Sequence, residues 1–326
     1  MKGSILVTGG AGYVGSHVVK ALAAQRRRMV VVDNLSTGHL SNIQNIPFVK
    51  ANIQDKETLA NVIETENVTA VMHFAASTVI SDSIERPLDY YENNTVGTLN
   101  LLEVCVAQKV KHFILSSTAA VYGPADGNIT ENYPLLPTSP YGYSKVMSEQ
   151  LVKDVANTGA LSFAILRYFN VAGADMTGVI GQRTENATHL LKVAVEVACK
   201  TKPSIPIYGD DYPTKDGTCI RDFIHVDDLA AAHIDALTYL ENNGESVTLN
   251  CGYGKGYSVK EVITALESVT GHPIRTTLEK RRPGDIARVI ADNTLIKKTL
   301  NWQPQFDDIH IMVKSAYEWE RKLNEK

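Results

Sequence analysis

Two side chains able to move a proton, Tyr141 and Lys145, stand four residues apart in Tyr141-Gly142-Tyr143-Ser144-Lys145. On a helix, positions i and i+4 share a face, which brings the ammonium close to the phenol. A free phenol, with a pKa near ~10, is a poor base at neutral pH. A cation about 4 Å away, at an effective dielectric of about 20, favours the phenolate by roughly 4 kcal/mol. That is on the order of 3 pKa units before desolvation opposes it, enough to bring the tyrosine near working pH. Chance also places Tyr-x3-Lys on amphipathic helices; Thr118 and a glycine-rich turn upstream give the pair its meaning.

That turn is Gly9-Gly10-Ala11-Gly12-Tyr13-Val14-Gly15. It follows the apolar run Ser4-Ile5-Leu6-Val7-Thr8 and runs into Val14, Val18 and Leu22, a helical stripe at i, i+4, i+8. Its Gly9-x2-Gly12-x2-Gly15 spacing differs from the commoner G-x-G-x-x-G but meets the same need. The chain must turn tightly, approach a pyrophosphate closely and pack helix on strand, with helix N-terminal donors facing the phosphates. Asp33 closes the run Met29-Val30-Val31-Val32, 18 residues after Gly15. A carboxylate there accepts bonds from an adenosine ribose and repels a 2′-phosphate, which favours NAD over NADP. Asp33 also opens the turn Asn34-Leu35-Ser36-Thr37-Gly38, which lies at the same edge of the cofactor site.

The elements that must carry these residues follow from length and rhythm. A chain of 326 residues, 44% hydrophobic and 21% charged, can bury a large core in two lobes. Its formal charge of −4 supplies no global basic field for nucleic acid or an anionic membrane. An anionic substrate must therefore meet a few local arginines, and Arg26-Arg27-Arg28 reads as a solvated helix end. No apolar run reaches the roughly 18 residues that would span a bilayer. Met1-Lys2-Gly3-Ser4 leads straight into a strand, leaving no room for a signal peptide. Cys105, Cys199, Cys219 and Cys251 are far apart, as expected of reduced cysteines in a cytoplasmic protein. The nine histidines form no ligand-spaced cluster, so no metal is expected.

Short apolar runs alternate with helical stretches through the first half, the pattern of a parallel sheet covered on both faces. Strands are expected at 4–8, 29–33, 48–51, 69–74, 112–116 and 162–168, with helices between them, including 87–107 and the segment carrying Tyr141. This predicts an α/β, doubly wound Rossmann domain over 1–170, completed by part of 222–252. A smaller mixed α/β lobe over 171–326 would bind substrate, with the ligand in the cleft.

Together these residues resemble the extended short-chain dehydrogenase/reductase family, the NAD-dependent epimerases and dehydratases, and within it the UDP-hexose 4-epimerases. The likeness spans nearly the whole chain. It rests on His73-Phe74-Ala75-Ala76, Asn93-Asn94 with Gly97-Thr98, and Ser116-Ser117-Thr118-Ala119-Ala120-Val121-Tyr122-Gly123. It continues in Ser139-Pro140-Tyr141-Gly142, Arg167-Tyr168-Phe169-Asn170, Arg221-Asp222-Phe223-Ile224-His225-Val226 and Arg281-Arg282-Pro283-Gly284-Asp285.

The resemblance implies roles at the matching positions. Tyr141 takes the proton from the sugar 4-hydroxyl, Lys145 holds the nicotinamide ribose and lowers the tyrosine pKa, and Thr118 relays or orients the proton. Gly9, Gly12, Tyr13, Val14, Gly15, Asn52, Ile53, Phe74, Ala75, Ala76, Asn93 and Phe169 line the cofactor. Arg221 and Arg282 hold the pyrophosphate through charge-assisted bonds. Asn170, Leu190, Tyr208 and Asp285 surround the sugar, phosphate or uridine. His73 and His225 are structural. The implied reaction is internal redox at C4, interconverting UDP-galactose and UDP-glucose through a 4-keto sugar that turns within the site. A homodimer paired through helices of the first domain is implied too.

Three positions depart from the pattern. Asn52 stands where an aspartate usually meets the adenine amino group, and Thr78 where some members carry lysine. Val289 aligns with a gate that is small in members accepting N-acetyl sugars, leaving room for UDP-N-acetylglucosamine. Rival readings are weaker. A 4,6-dehydratase needs a further acid/base pair after Thr118, where Ala119-Ala120 cannot transfer a proton. A non-catalytic NAD-binding regulator has no need of Tyr141, Lys145 and Thr118 together. A simple dehydrogenase would exchange its NAD.

Overall fold

The computed structural model describes residues 3–125, 127–184, 187–282 and 285–325. Six strands open the chain: β1 (Ser4–Thr8), β2 (Met29–Asp33), β3 (Phe48–Lys50), β4 (Val68–His73), β5 (His112–Thr118) and β6 (Ser162–Tyr168). β1, β2 and β6 keep the expected bounds. β5 runs two residues further than expected because Ser117 and Thr118 pair with Arg167 and Tyr168 of β6. With Val247–Cys251 at one edge they form one sheet, in the order Val247–Cys251, β6, β5, β4, β1, β2, β3. Every pairing in it is parallel.

Alternation along each strand divides the core into two layers. Ile5, Val7, Val31 and Met72 point into one, with Val18 and Leu22 of α1 (Tyr13–Ala24) and Leu229 and Leu237 of the helix Val226–Glu241. Leu6, Val30, Val32, Val71 and Phe113 point into the other, with Leu59 and Ile63, Leu101 and Leu102, and Val152 of the helix Pro140–Asn157. Each such side chain, fully buried, stabilises the fold by roughly 1.5–3 kcal/mol.

The expected helix 87–107 forms in three consecutive pieces: α-helical Pro87–Tyr90, a π-type stretch Tyr91–Val96, and α-helical Gly97–Ala107. Such wide turns concentrate at functional sites. Arg27 is not a solvated helix end; its guanidinium reaches Glu241 (Nη1–Oε2 3.2 Å), tying the end of α1 to the helix Val226–Glu241.

Beyond the sheet, short strands carry the second lobe. Phe223–His225 lies parallel to Asn170–Ala172, and Ile220–Arg221 lies between Tyr257–Ser258 and Arg288–Val289. Ile205–Tyr208 pairs with Thr276–Glu279. Asp222 stitches the two regions together, accepting from the backbone N–H groups of Tyr253 (3.0 Å), Gly254 (2.9 Å) and Ala291 (3.2 Å). Among the described residues, no helix is long and apolar enough to cross a membrane.

The order reverses at β1 and β4, where an open parallel sheet leaves its crevice. The chain closes tightly there. A Cβ on Gly15 would lie 2.2 Å from the Gly9 carbonyl oxygen, so even alanine forces the backbone apart. Gly15→Ala is expected to cost about 1–3 kcal/mol of stability. A thermal melt checks it, and an unchanged Tm would contradict the tight packing.

Candidate active site

The helix bearing Tyr141 starts where its sequence says it should. Ser139 caps it, its hydroxyl accepting from the Gly142 N–H (3.2 Å), and Pro140 occupies the first turn. Gly142 lets this turn approach β5: a Cβ there would lie 2.5 Å from the Ala120 carbonyl oxygen. That approach sets the Tyr141 phenol beside the Thr118 hydroxyl. Tyr141, Lys145 and Thr118 are all buried, at 7%, 4% and 9% exposure.

Burial shapes the electrostatics. It raises the phenol of Tyr141 well above its ordinary value; Tyr168 and Tyr90 act the same way, while the Thr118 hydrogen bond pulls it down. Burial also lowers the Lys145 ammonium to about 8, opposed by the charge of Glu149. The strong phenol-lowering effect expected of Lys145 does not control Tyr141, where desolvation is the largest influence. At neutral pH the phenol therefore keeps its proton and the ammonium its charge.

His73 and His225 are buried and hydrogen-bonded within the fold. The His73 ring spans Thr8 (2.7 Å) and Thr98 (3.1 Å). Burial, followed by the Lys145 charge, pushes it to about 3. His225 accepts from the Asp227 N–H (3.1 Å) at the start of its helix, and burial lowers it to about 4.

Between β1 and α1 the glycines make a cradle. Gly9 takes φ +71°, and a Cβ on it would meet the Ala75 nitrogen at 2.5 Å; one on Gly12 would meet the Gly9 oxygen at 3.3 Å. No side chain caps α1 at Gly12, so the first-turn N–H groups near Tyr13 and Val14 remain for an anion. Asp33 is buried, with its carboxylate braced by the N–H groups of Ala11 (3.0 Å) and Leu35 (2.8 Å). It serves at once as turn-former and as the acidic group at the end of β2. Asn34, Ser36 and Thr37 are exposed beyond it, and Gly38 packs against its carboxylate.

These features fit a dinucleotide with a free ribose 2′-hydroxyl. Ile53 is buried beneath Gly97. Phe74 lies 4.8 Å from the ring of His233, and Ala75 and Ala76 follow at the end of β4. Asn52 is exposed, its amide oxygen already accepting from the Gln54 N–H (3.1 Å), and Thr78 is exposed as well.

In the second lobe, Arg221 donates to the carbonyls of Ile220 (2.9 Å) and Ile286 (2.7 Å) and pairs with Asp285 at 3.5 Å. Arg282 lies over the ring of Tyr208, 3.7 Å from its centroid. Val289 is paired with Arg221 in the short sheet and packs with the cluster holding Phe169 and Tyr122. Asn170 is joined to this region through its N–H to the Asp222 carbonyl (3.0 Å). Leu190 starts the helix Leu190–Ala198 and packs on the main core. Pro283 and Gly284 of the arginine motif lie outside the described residues. Among the described residues, no group of three or more His, Cys, Asp or Glu side chains could hold a metal ion.

Sequence reading missed two groups that hold the site. Asn94, not only its neighbour Asn93, is a buried hub: it accepts from the Ser77 N–H (2.8 Å) and donates to the Ser77 carbonyl and the Ser144 hydroxyl, both at 3.0 Å. Asn93 donates to Ser77 (3.2 Å) from the rim. Glu149 and Arg167 form a buried ion pair beneath Lys145. The signal for Glu149 was its place one helical turn beyond Lys145.

Residues 5–252 match the NAD dependent epimerase/dehydratase family. The chain is 47% identical over 323 residues to a UDP-glucose 4-epimerase of Azospirillum brasilense, covering 98% of this chain and 93% of that one. The structure of a UDP-glucose 4-epimerase from Stenotrophomonas maltophila, with bound NAD and formylated UDP-arabinopyranose, superposes with a TM-score of 0.96 at 37% identity, covering 99% of each chain. A UDP-Glc/GlcNAc 4-epimerase of Campylobacter jejuni gives 0.86 at 45% identity, covering 98% of this chain and all of the other. With a parallel sheet, a glycine cradle and a Thr-Tyr-Lys group in the matching order, the chain belongs to the NAD-dependent epimerase/dehydratase family.

Proposed function

We propose that the chain is a UDP-glucose 4-epimerase that interconverts UDP-galactose and UDP-glucose through a 4-keto sugar, with NAD as its resident cofactor. The observation that carries this reading is the buried Thr118–Tyr141–Lys145 group at the sheet's C-terminal edge, beside a cradle for a dinucleotide. When bound, NAD supplies the hydride acceptor and donor and a positive charge to the site.

Ionised to the phenolate once the charges of Lys145 and the bound cofactor offset its burial, Tyr141 would take the 4-hydroxyl proton and return it, with Thr118 orienting its phenolic oxygen. Burial excludes water, which would otherwise compete for that proton. Lys145, still protonated below pH 8, is the cation held against the ribose of the cofactor. Arg221 and Arg282 face the pyrophosphate, which anchors the nucleotide while the hexose stays free to turn. We assign cofactor binding to 1–170 with part of 222–252, and the sugar nucleotide to 171–326.

The four unpaired cysteines suit a reducing cytoplasm. Pairing into a homodimer is supported by exposed apolar side chains on two helices that pack together through Asn94 and Ser144: Leu88, Val96, Leu99 and Val106 on one, Tyr143 and Met147 on the other.

Purified protein without added NAD is expected to convert UDP-galactose to UDP-glucose, with the rate falling as pH rises through about 8 where Lys145 loses its proton. Tyr141→Phe should lower that rate by about 10²–10⁴-fold. No conversion even with NAD added would overturn the substrate assignment. Light scattering should report a dimer, and Leu99→Glu a monomer; a wild-type monomer would remove the homodimer. Val289 leaves room for an N-acetyl group, so UDP-N-acetylglucosamine should also turn over. Val289→Tyr should cut that activity by about tenfold or more while sparing UDP-galactose. Kinetics on both sugars decide this, and wild type inert toward the acetylated sugar would sink it.

A further inference from the structure

Three elements, the helix Pro140–Asn157, β5 and β6, converge on one buried carboxylate. Glu149 is 1% exposed and lies one helical turn beyond Lys145, two beyond Tyr141. From β6, the Arg167 guanidinium, 2% exposed, donates through Nε to Oε1 (2.9 Å) and Oε2 (3.2 Å), and through Nη2 to Oε2 (2.5 Å). From β5, the hydroxyl of Ser117, next to Thr118, donates to Oε1 at 2.6 Å. Arg167 also donates to the Tyr122 hydroxyl (2.9 Å) and the Glu131 carbonyl (3.1 Å). The Tyr122 hydroxyl in turn bonds Asn250 of the edge strand at 2.7 Å.

We propose that Glu149 is a positioning residue for the reaction: clamped by Arg167 and Ser117, it fixes the catalytic helix to β5 and β6 and sets a counter-charge one helical turn from Lys145. The proposal rests on the reading of Lys145 as the ribose-holding cation. A purely structural pair would hold the fold without bearing on that amine.

Several groups face the two residues. Around Lys145 stand Glu149 on its own helix and His73 at the end of β4, which is neutral at working pH. Around Glu149 stand Arg167 from β6 and Lys153 on its own helix (3.5 Å). Ser117 and Tyr122 complete the set. Burial disfavours the Glu149 charge, but Arg167 outweighs it and holds the carboxyl below its ordinary value. Glu149 is therefore ionised throughout the range in which Lys145 titrates. It is the anion acting on Lys145, and its charge opposes the desolvation of the amine.

The test follows the amine directly by NMR of lysine 13Cε-labelled protein, with Lys145 assigned by the signal absent from Lys145→Met. The wild-type midpoint is expected near 8. Glu149→Gln, which keeps an acceptor for Arg167 but loses the charge, should lower it by about one unit or more. The alkaline fall of epimerase rate should move with it, and Glu149→Asp should restore the midpoint at least halfway. If the single variant does not fold, Glu149→Gln with Arg167→Gln removes the stranded guanidinium, and because Glu149 and not Arg167 acts on Lys145, the amine should still titrate below wild type. An unchanged midpoint in the folded neutral variant overturns the proposal. Wild-type rates in Lys145→Met would instead overturn the reading of Lys145 itself.

Discussion

A charged side chain survives in a protein interior only beside its opposite, and the catalytic half of this molecule is organised around one such pair. Glu149 and Arg167 are both nearly inaccessible, and every carboxylate oxygen and most guanidinium donors are engaged. Removing one partner of such a pair typically costs roughly 3–5 kcal/mol, because the survivor is left uncompensated. The geometry of the pair therefore dictates where the helix Pro140–Asn157 sits relative to β5 and β6. Thr118, Tyr141 and Lys145 inherit their relation from that placement.

A second constraint is steric. α1 can lie close to β1 only because Gly9 and Gly15 lack side chains, and the Tyr141 helix can lie close to β5 only because Gly142 does. The two approaches serve different ends. The first leaves backbone donors and an uncapped helix N-terminus open to a pyrophosphate, with Asp33 braced across the same turn. The second brings a buried phenol to a buried threonine hydroxyl. Close backbone packing is thus what turns an ordinary doubly wound sheet into a place for redox chemistry.

In the proposed function the second lobe solves a different problem. A chain with a formal charge of −4 has no long-range attraction for a nucleoside diphosphate sugar, so recognition is local. Arg221 is held by two backbone carbonyls and Asp285, a pre-set donor with little freedom to lose. Arg282, exposed, rests on the face of Tyr208, where a cation–π contact stabilises it by roughly 0.5–1 kcal/mol. Anchoring a substrate by its nucleotide suits a sugar that must turn over between two half-reactions.

The residues proposed to meet a cofactor or a proton stand out in the chain alone, because that chemistry demands particular types at particular spacings. Continuous short apolar runs marked β1, β2 and β6 to the residue, and the glycine turn, Asp33 and Tyr141-x3-Lys145 followed from local geometry. What the sequence could not reveal depends on contacts between distant segments. Arg27 meets Glu241, Asn94 meets Ser77 and Ser144, and β5 gains two residues only through its pairing with β6. The direction in which Tyr141 titrates also escaped, since it turns on desolvation by the folded surroundings and not on the nearest charge along the helix. Spacing along a helix determines which groups can meet; burial, which exists only once the chain has closed around them, decides their charge.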